Sequence, residues 1–418
     1  MTNLSQLKVA VLVDLPRSPQ SGGHVKGWER LAQAAARYDL PLDLTVYFSG
    51  NPLTEKLAEH VTLRQLPPVF STARLKFLPY VPDHTDLAPY HPALARELPR
   101  YDVIHTTDAF FAFTRTAEFH RRRRALTHSF HTDQVNYARI FAAKSIRERL
   151  GDSQLARWLL EKWQLPERIS RRMERKLLRH VSRCGAVVVS RASDRMFAEQ
   201  ILGPHGVRTM RLGTDRELFN PRQANRALMQ QRYLIPSGRL VLVFVGRLDE
   251  GKNIYTLLTA MRQAIDTGIP LHLVAAGVGP ASDDIRAMLG DHASIPGFVP
   301  PSELAQLYAS ADALALASEV ETRSQAMVEA LASGLPVLVA AKSGVHKLLP
   351  SSPALQVVSG GADAWASALY DFASTSRPKL QAAAVELGRK YIASWEEILA
   401  EDLLPAWQQA ARMQLTRS

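Results

Sequence analysis

The sequence predicts an α/β protein of two domains, each built on a parallel, doubly wound sheet. Short apolar runs typical of buried strands alternate with longer segments of helical periodicity. The alternation begins near Lys8 and begins again at Leu240, after the polar segment Arg211–Ala227, which we interpret as a hinge. A chain of 418 residues also exceeds what a single core usually supports.

In the first half, a strand is followed by a glycine-containing loop and a helix that ends near Arg37. Pro67–Pro99 is rich in Pro, Tyr and His, so we expect irregular structure with short helices there. Helical patterns cover Ser145–Leu165 and Pro166–Arg183. The predicted strands are Lys8–Val13, Leu42–Phe48, Val61–Leu66, Tyr101–Thr106, Ala125–His128 and Ala186–Ser190.

The second half repeats the pattern, and we expect its ligands beyond the carboxyl ends of its strands. A helix is predicted to begin near Ser324, and Gly334 and Pro336 end it. The chain closes in helices, notably Trp395–Met413. The predicted strands here include Leu240–Val245, Ala313–Ala317 and Pro336–Ala340.

The net charge of +11 is concentrated in the first half. The segment Arg139–Arg183 contains 13 Lys and Arg against 5 Asp and Glu, and Arg121–Arg124 add four cations. A single cysteine, Cys184, excludes an internal disulfide framework and indicates a reducing compartment. The first apolar run is too short for a signal peptide, and no run approaches the roughly 20 residues that span a bilayer. We therefore expect a cytoplasmic protein.

Two glutamates, Glu321 and Glu329, lie eight positions apart where the strand Ala313–Ala317 leads into a helix. Helix geometry can direct both carboxylates into one pocket, and the free N–H groups of a helix start bind phosphate or sugar oxygens. The alternative is a solvated acidic pair, because the helix dipole favours carboxylates at this end.

Arg247 and Lys252 follow the strand Leu240–Val245. Two fixed cations suit a nucleotide diphosphate, whose phosphates gather negative charge as they leave. The alternative, a pair of surface cations, would oppose the dipole of the next helix.

Four motifs occur in order, each at the end of a predicted strand. They resemble those of the retaining glycosyltransferases of family four, which have the GT-B fold, and the resemblance covers most of the chain. The motifs are Gly246-Arg247-Leu248 with Lys252-Asn253, Gly277-Val278-Gly279-Pro280, Gly297-Phe298-Val299, and Glu321 to Glu329 with Ala332-Ser333-Gly334-Leu335-Pro336.

The resemblance implies two Rossmann-like domains that face a central cleft. It implies an acceptor-side domain over 1–213, a nucleotide-sugar domain over 214–390, and a last helix over 391–418 that crosses back to the first domain. It also implies that Arg247 and Lys252 bind the donor diphosphate, Glu321 the sugar hydroxyls and Glu329 the ribose. The further donor-binding residues it implies are Gly22, Gly23, Gly277, Phe298, Val299, Ser324 and Gln325.

Phe298 and Val299 occupy positions where family members hold the base through backbone groups, and core packing is the alternative for Phe298. The sequence has Ser324-Gln325 where relatives often have Gly-Phe. Their backbone N–H groups still suit a ligand, but this difference leaves the donor sugar open.

In the first half, the resemblance assigns His131 a catalytic role and makes His131, Asp133 and Tyr137 the acceptor contacts. A histidine at a strand end can donate a hydrogen bond to sugar or phosphate, although an ordinary loop histidine would look the same. His128 is a weaker candidate for the same role.

The helix from Ser153 to Leu165 carries tryptophans beside cations, which suits either an anionic membrane surface or interior packing. Its apolar residues are Leu155, Trp158, Leu159 and Trp163. We interpret the next helix as packed on the sheet through Ile169, Met173, Leu177 and Val181, with its arginines solvated.

These features predict a metal-independent retaining hexosyltransferase of glycolipid or cell-envelope biosynthesis, with no cofactor. It would use a UDP- or GDP-sugar and a lipid, lipid-linked or polysaccharide-precursor acceptor, with the inner face of the plasma membrane as its place of attachment. The alternatives are a small soluble acceptor, a nucleotide-sugar epimerase, a pyridoxal phosphate-dependent phosphorylase or an inactive partner subunit. Nucleic-acid binding fits the charge, but no signature of such a module is present.

Overall fold

The computed structural model describes residues 6–18, 21–71, 86–131, 134–321 and 323–416. The chain divides into two compact units. The first comprises Met1–Met210 with Trp395–Ser418, and the second is Arg211–Ser394. The resemblance implies boundaries at 213/214 and 390/391, whereas the two units of the structure divide at 210/211 and 394/395.

Among the described residues the sheet of the first unit has eight strands, and buried apolar side chains of its inner strands form the core. The elements in chain order are β1 (Leu7–Pro16), α1 (Gly23–Arg37), β2 (Leu42–Ser49), β3 (Leu53–Ala58), β4 (Val61–Leu66), α2 (Pro92–Glu97), β5 (Val103–Thr106), α3 (Ala112–His120), β6 (Ala125–Ser129), α4 (Gln134–Leu150), α5 (Gln154–Arg157), α6 (Leu165–Val181), β7 (Ala186–Val189), α7 (Ala192–Leu202) and β8 (Val207–Thr209).

The strand order of this sheet is β3-β4-β2-β1-β5-β6-β7-β8. All neighbours are parallel except β3, which pairs antiparallel with β4. The order reverses at β1, which lies between β2 and β5. Chain segments that leave the carboxyl ends of β1, β5, β6 and β7 therefore meet at one edge of the sheet.

The second unit contains a six-stranded sheet and one two-stranded pair. Its elements are β9 (Leu212–Thr214), α8 (Arg226–Arg232), β10 (Leu240–Val245), α9 (Ile254–Asp266), β11 (Leu271–Ala276), α10 (Ser282–Leu289), β12 (Ala293–Gly297), α11 (Pro301–Ser310), β13 (Ala313–Leu316), α12 (Gln325–Ala332), β14 (Val337–Ala340), β15 (Leu355–Val358), α13 (Ala362–Ser374), α14 (Arg377–Tyr391) and β16 (Ile392–Ser394).

The large sheet has the order β12-β11-β10-β13-β14-β15 and is parallel throughout, while β16 pairs with β9. Two apolar clusters cover the faces of this sheet, which explains why its strands read as nearly continuous apolar runs. The order reverses between β10 and β13, so the loops after these two strands flank the position where doubly wound sheets bind ligands.

The last helices belong to the first unit. They comprise α15 (Trp395–Glu397), a π-helical stretch at Ile398–Leu403, and α16 (Leu404–Leu415). The helix α16 packs closely on the sheet, because a Cβ at Gly185, which precedes β7, would lie 3.0 Å from the Cβ of Ala410.

The predicted helix at Ser145–Leu165 is wrong in its bounds. The structure has α4 from Gln134 to Leu150, a break, the short α5 and a π-helical stretch at Trp158–Lys162. The strands β3, β8, β9 and β16 were not predicted, and β16 lies in the segment 391–418, for which the resemblance implies a helix. No helix of the described residues is long and apolar enough to cross a membrane.

Candidate functional site

The loop after β10 carries both predicted phosphate-binding cations. Lys252 Nζ lies 2.6 Å from Glu321 Oε1, and both side chains are largely buried. Arg247 lies 3.2 Å from Asp249 Oδ2, and 74% of its side chain is exposed. The structure thus joins the loop after β10 to the segment after β13 through one ion pair, and it leaves the guanidinium of Arg247 accessible to a ligand.

Gly277 and Gly279 follow β11, and close backbone packing requires them. A Cβ at Gly277 would lie 1.7 Å from the carbonyl oxygen of Gly246, and one at Gly279 would lie 2.3 Å from that of Leu248. The two loops are hydrogen-bonded, since Leu248 N donates to Val278 O at 3.0 Å. These glycines therefore hold the loop of Arg247 and Lys252 in place.

The helix α12 begins next to Glu321. Ser324 is its N-cap in a left-handed conformation (φ 42°), and the Gln325 side chain donates to Gly213 O at 3.1 Å. The side chain of Gln325 is therefore engaged within the protein. The N–H of Met327 donates to Ser324 Oγ, so a ligand would meet the N–H groups that precede it in the first turn. Glu329 is buried, one turn further along the helix, about 6 Å by the helix rise.

Phe298 and Val299, which follow β12, have different environments. Phe298 is 70% exposed, whereas Val299 is buried in the core cluster of this unit. Core packing is therefore wrong for Phe298 and applies to its neighbour.

In the first unit, Gly22 caps α1 and Gly23 is its first residue. Gly22 has an ordinary extended conformation, and a Cβ built there would meet no atom within 4 Å. Unlike Gly277, Gly22 is not required by the packing of the protein, and it leaves the start of α1 open to a ligand.

His131 follows β6 and is partly buried. Its Nε2 lies 2.7 Å from Ser129 Oγ, and its ring stacks on that of His24 with a centroid distance of 4.3 Å. Two of its predicted companions lie outside the described parts of the chain, namely Asp133 as a whole and the side chain of Tyr137. Contacts between these residues and an acceptor remain predictions.

A row of buried polar side chains on β5 and β6 was not predicted. His128 is almost completely buried, with Nδ1 3.0 Å from Thr106 Oγ1, so it does not offer a second accessible imidazole. Burial lowers the pKa of His128 well below its ordinary value, and His180 and His105 lower it further. Burial also lowers the pKa of His105 to about 3.

Two buried carboxyls, Asp14 after β1 and Asp108 after β5, lie at the same edge of the sheet. Burial raises the pKa of both, and the charge of Asp108 raises that of Asp14 further.

Asp108, Ser129, His131 and Arg191 border a cavity of about 50 Å³. It is too small for a sugar ring, since ligand sites generally have about 300 Å³ or more. Across the described ranges, no group of three or more His, Cys, Asp or Glu could hold a metal ion.

The tryptophan segment of the first unit is exposed. Leu155, Trp158 and Trp163 are each 40% exposed or more, so interior packing is wrong for these three. The two indole rings stack with centroids 5.6 Å apart, and the guanidinium of Arg168 lies over Trp163 at 5.4 Å. Aromatic rings beside accessible cations are therefore present on one surface of this unit.

Comparison with known proteins finds a family model that matches the second unit and relatives that match parts of the chain. Residues 225–390 match the family model described as glycosyl transferases group 1. Among curated proteins, the sulfoquinovosyl transferase SQD2 of Arabidopsis thaliana is 31% identical over 142 residues, which is 33% of this chain and 26% of that protein. The alpha-monoglucosyldiacylglycerol synthase of Streptococcus pneumoniae is 29% identical over 133 residues, 31% of this chain and 30% of the synthase. The matches thus span less than a third of each relative.

Solved structures extend the likeness over the whole chain. A sucrose-phosphate synthase from Thermosynechococcus elongatus has a TM-score of 0.68 at 18% identity, with 99% of this chain and 100% of that one covered. HepE of Anabaena, solved in complex with UDP, has a TM-score of 0.63 at 15% identity, with 98% and 100% covered. At such identities the likeness shows the fold. The segment 225–390 is thus similar to the glycosyl transferases of group 1, and the whole chain has the GT-B fold of two Rossmann-like units.

Proposed function

We propose that this protein is a retaining hexosyltransferase that uses a UDP- or GDP-sugar. Its acceptor is a lipid, a lipid-linked glycan or a polysaccharide precursor at the cytoplasmic face of a membrane. The observation that carries the proposal is the Lys252–Glu321 pair at 2.6 Å beside the start of α12, with the accessible Arg247 on the same loop as Lys252.

The cations act on the leaving group. When the bond between the anomeric carbon and the phosphate oxygen breaks, the negative charge grows on the diphosphate, where Arg247 and Lys252 stabilise it. Because Lys252 is already paired with Glu321, the donor diphosphate enters a site whose ammonium is held in place. Backbone N–H groups at the start of α12 add donors without side-chain entropy.

The carboxylates bind hydroxyls. Glu321 would accept from hydroxyls of the sugar, and Glu329 would accept from the vicinal diol of the ribose, for which two carboxylate oxygens suffice. No protein nucleophile is required if the acceptor oxygen bonds to the anomeric carbon on the face that the phosphate leaves. The acceptor proton then passes to the departing phosphate oxygen, and retention follows.

The exposed tryptophan surface supports a lipid-type acceptor. Trp158 and Trp163 can enter the interfacial region of a bilayer while the cations around them meet anionic head groups. Two relatives point the same way by their names. One is the alpha-monoglucosyldiacylglycerol synthase above. The other is a GDP-mannose-dependent alpha-(1-6)-phosphatidylinositol dimannoside mannosyltransferase of Mycobacterium tuberculosis, 31% identical over 150 residues, which is 35% of this chain and 39% of that protein.

A transfer assay tests the proposal. The protein is incubated with UDP-glucose, GDP-mannose or related labelled donors and with mixed lipid acceptors, and the anomeric configuration of the product is read from its proton coupling. We expect labelled lipid of the donor's configuration from the wild type and none from Glu321→Gln. Inversion would refute the retaining mechanism, and label in water-soluble product alone would refute the lipid acceptor.

A further inference from the structure

A chain of hydrogen bonds joins the last helix of the protein to His131. Trp407 Nε1 lies 3.1 Å from His105 Nδ1. His105 Nε2 lies 2.8 Å from Ser129 Oγ, which in turn lies 2.7 Å from His131 Nε2. All four residues belong to the first unit, and Trp407, His105 and Ser129 are fully buried.

The direction of the first two bonds follows from chemistry. An indole N–H can only donate, so Nδ1 of His105 carries a lone pair and accepts from Trp407. Thr127 Oγ1 also lies 2.8 Å from this Nδ1, and since a ring nitrogen without a hydrogen can only accept, the hydroxyl of Thr127 donates there and shares its single lone pair with the indole. Because burial keeps His105 neutral, its one proton is on Nε2, and Nε2–H donates to Ser129 Oγ.

The third bond follows from the second. Among the described residues, Ser129 Oγ has two partners, and His105 occupies one of them as a donor. The hydroxyl hydrogen of Ser129 therefore points to Nε2 of His131, which accepts. A neutral His131 must then carry its proton on Nδ1.

The orientation of the His131 ring is fixed as well. Its face stacks on His24 with an interplanar angle of 9°. The indole of Trp28 packs against both His131 and His105, with centroid distances of 5.8 and 5.3 Å. With its Nε2 bonded and its faces packed, the ring has little freedom to flip.

We propose that Trp407 is a positioning residue which, through His105 and Ser129, holds His131 neutral with its proton on Nδ1. His131 then donates a hydrogen bond to a substrate oxygen and does not take up a proton. This inference rests on the proposed function, because it gives His131 a substrate. It also gives α16 a role at the site beyond packing.

Protonation of His131 is opposed by the same chain. A hydrogen on Nε2 would confront Ser129 with two N–H donors and leave its own hydroxyl without an acceptor among the described residues. An unpaired buried hydroxyl is costly, so the form of His131 with its proton on Nδ1 is favoured. Removing the indole N–H lets His105 adopt its other tautomer and releases this constraint.

The test combines side-chain NMR with kinetics. Long-range ¹H–¹⁵N spectra of the full chain, with His131 assigned by the loss of its signals in His131→Gln, show which ring nitrogen carries the proton. Trp407→Phe removes the N–H donor while it keeps an aromatic ring, and Ser129→Ala removes the link with little change of volume. Trp365→Phe, at a fully buried tryptophan of the second unit, is the matched packing control.

We expect His131 to carry its proton on Nδ1 in the wild type and in Trp365→Phe at pH 7.5. In Trp407→Phe and Ser129→Ala we expect mixed tautomers, a kcat lower by about 10- to 100-fold, an unchanged KM for the nucleotide sugar, and an acid limb of the pH–rate profile at higher pH.

A wild-type His131 with its proton on Nε2, or doubly protonated at pH 7.5, would overturn the proposal. The proposal would also be overturned if Trp407→Phe and Ser129→Ala both kept the wild-type tautomer of His131 and the wild-type kcat. If His131→Ala transfers sugar normally, the catalytic use of His131 fails although the hydrogen-bond chain stands. If neither the wild type nor any variant transfers sugar, the proposed function fails. The NMR result then decides by itself whether the hydrogen-bond chain sets the tautomer of His131.

Discussion

Some glycines of this protein are required by close backbone packing, whereas others lie where a side chain would meet no neighbouring atom. Gly277 lies against the backbone of Gly246, so any side chain there would push the loop of Arg247 and Lys252 away. Gly22, at the start of α1, has free space around its Cα. In the sequence both are glycines that follow a strand, so the sequence does not distinguish their roles. The contacts in the structure do.

We therefore expect Gly277→Ala to lower the free energy of unfolding by about 3 kcal/mol or more, because its Cβ cannot coexist with the carbonyl oxygen of Gly246. Gly22→Ala should leave the melting temperature unchanged and reduce transfer if the open space admits a ligand. Gly361→Ala, at another open glycine, is the control for both. Equal melting temperatures of Gly277→Ala and the wild type would contradict this view.

In the second unit the sequence predicts which strand-end side chains lie together, whereas in the first unit the contacts of the buried polar residues were not predicted. Lys252 and Glu321 are 69 positions apart, yet both lie at strand ends, where topology brings side chains together. Trp407 and His105 are 302 positions apart, and no periodicity or motif links them. Their contact depends on how α16 packs, which a single sequence does not reveal.

At the scale of elements, β5 and β6 are unusual because they are central strands of a sheet and yet carry several buried polar side chains. They are central strands with buried polar residues on both, and each of these residues has a partner. A second row there joins Thr106 to His180, which bonds to Glu118. Burial opposes the charge of Glu118, but the hydrogen bond and charge of His180 and the guanidinium of Arg183 lower the pKa of this carboxyl.

Buried neutral histidines make stability depend on pH. Below pH 6.5 the unfolded chain takes up a proton at His105, whereas the folded chain does so only near pH 3, so stability is lost as the pH falls between these values. From pH 7 to 4 we expect the wild type to lose on the order of 3 kcal/mol more than His105→Asn.

Urea unfolding at several pH values measures this difference. The comparison with His105→Asn removes the contribution of His128, which is common to both proteins, and that of Asp14 and Asp108, whose raised pKa values act in the opposite direction. Parallel stability curves for the two proteins would show that His105 is not held neutral by burial.

Elements with a clear apolar pattern were predicted closely, and those without one were missed. The bounds of β4 and β10 agree with the prediction, because β10 is a bounded apolar run and β4 alternates apolar with polar residues. The edge strand β3 is mostly exposed and carries charges, so no buried face marks it. The start of α4 was missed because polar residues after a strand resemble a loop.

At the scale of the whole molecule, the positive charge of the first unit and its exposed tryptophans are the features through which we propose that the protein attaches to a membrane. We expect the wild type to float with vesicles that contain anionic phospholipid, and less so at high salt, since charge attracts the protein and indole insertion retains it.

The variant Trp158→Ala with Trp163→Ala should bind at least about 10-fold more weakly, whereas Tyr370→Ala, at an exposed aromatic residue of the second unit, should bind as the wild type does. Equal flotation of the double variant and the wild type would show that the tryptophan surface is not the attachment site.

The most direct test of the central claim is calorimetric titration of the purified chain with UDP, GDP and ADP, and of Lys252→Ala and Arg262→Ala. Loss of a charged hydrogen bond to the diphosphate should weaken binding by about 10- to 100-fold in Lys252→Ala. Arg262→Ala removes an exposed cation paired with Asp266 on α9 and should bind normally. Micromolar binding of one nucleotide with this pattern is the predicted result. Failure of the folded wild type to bind any of the three, or equal binding by Lys252→Ala, would contradict the account.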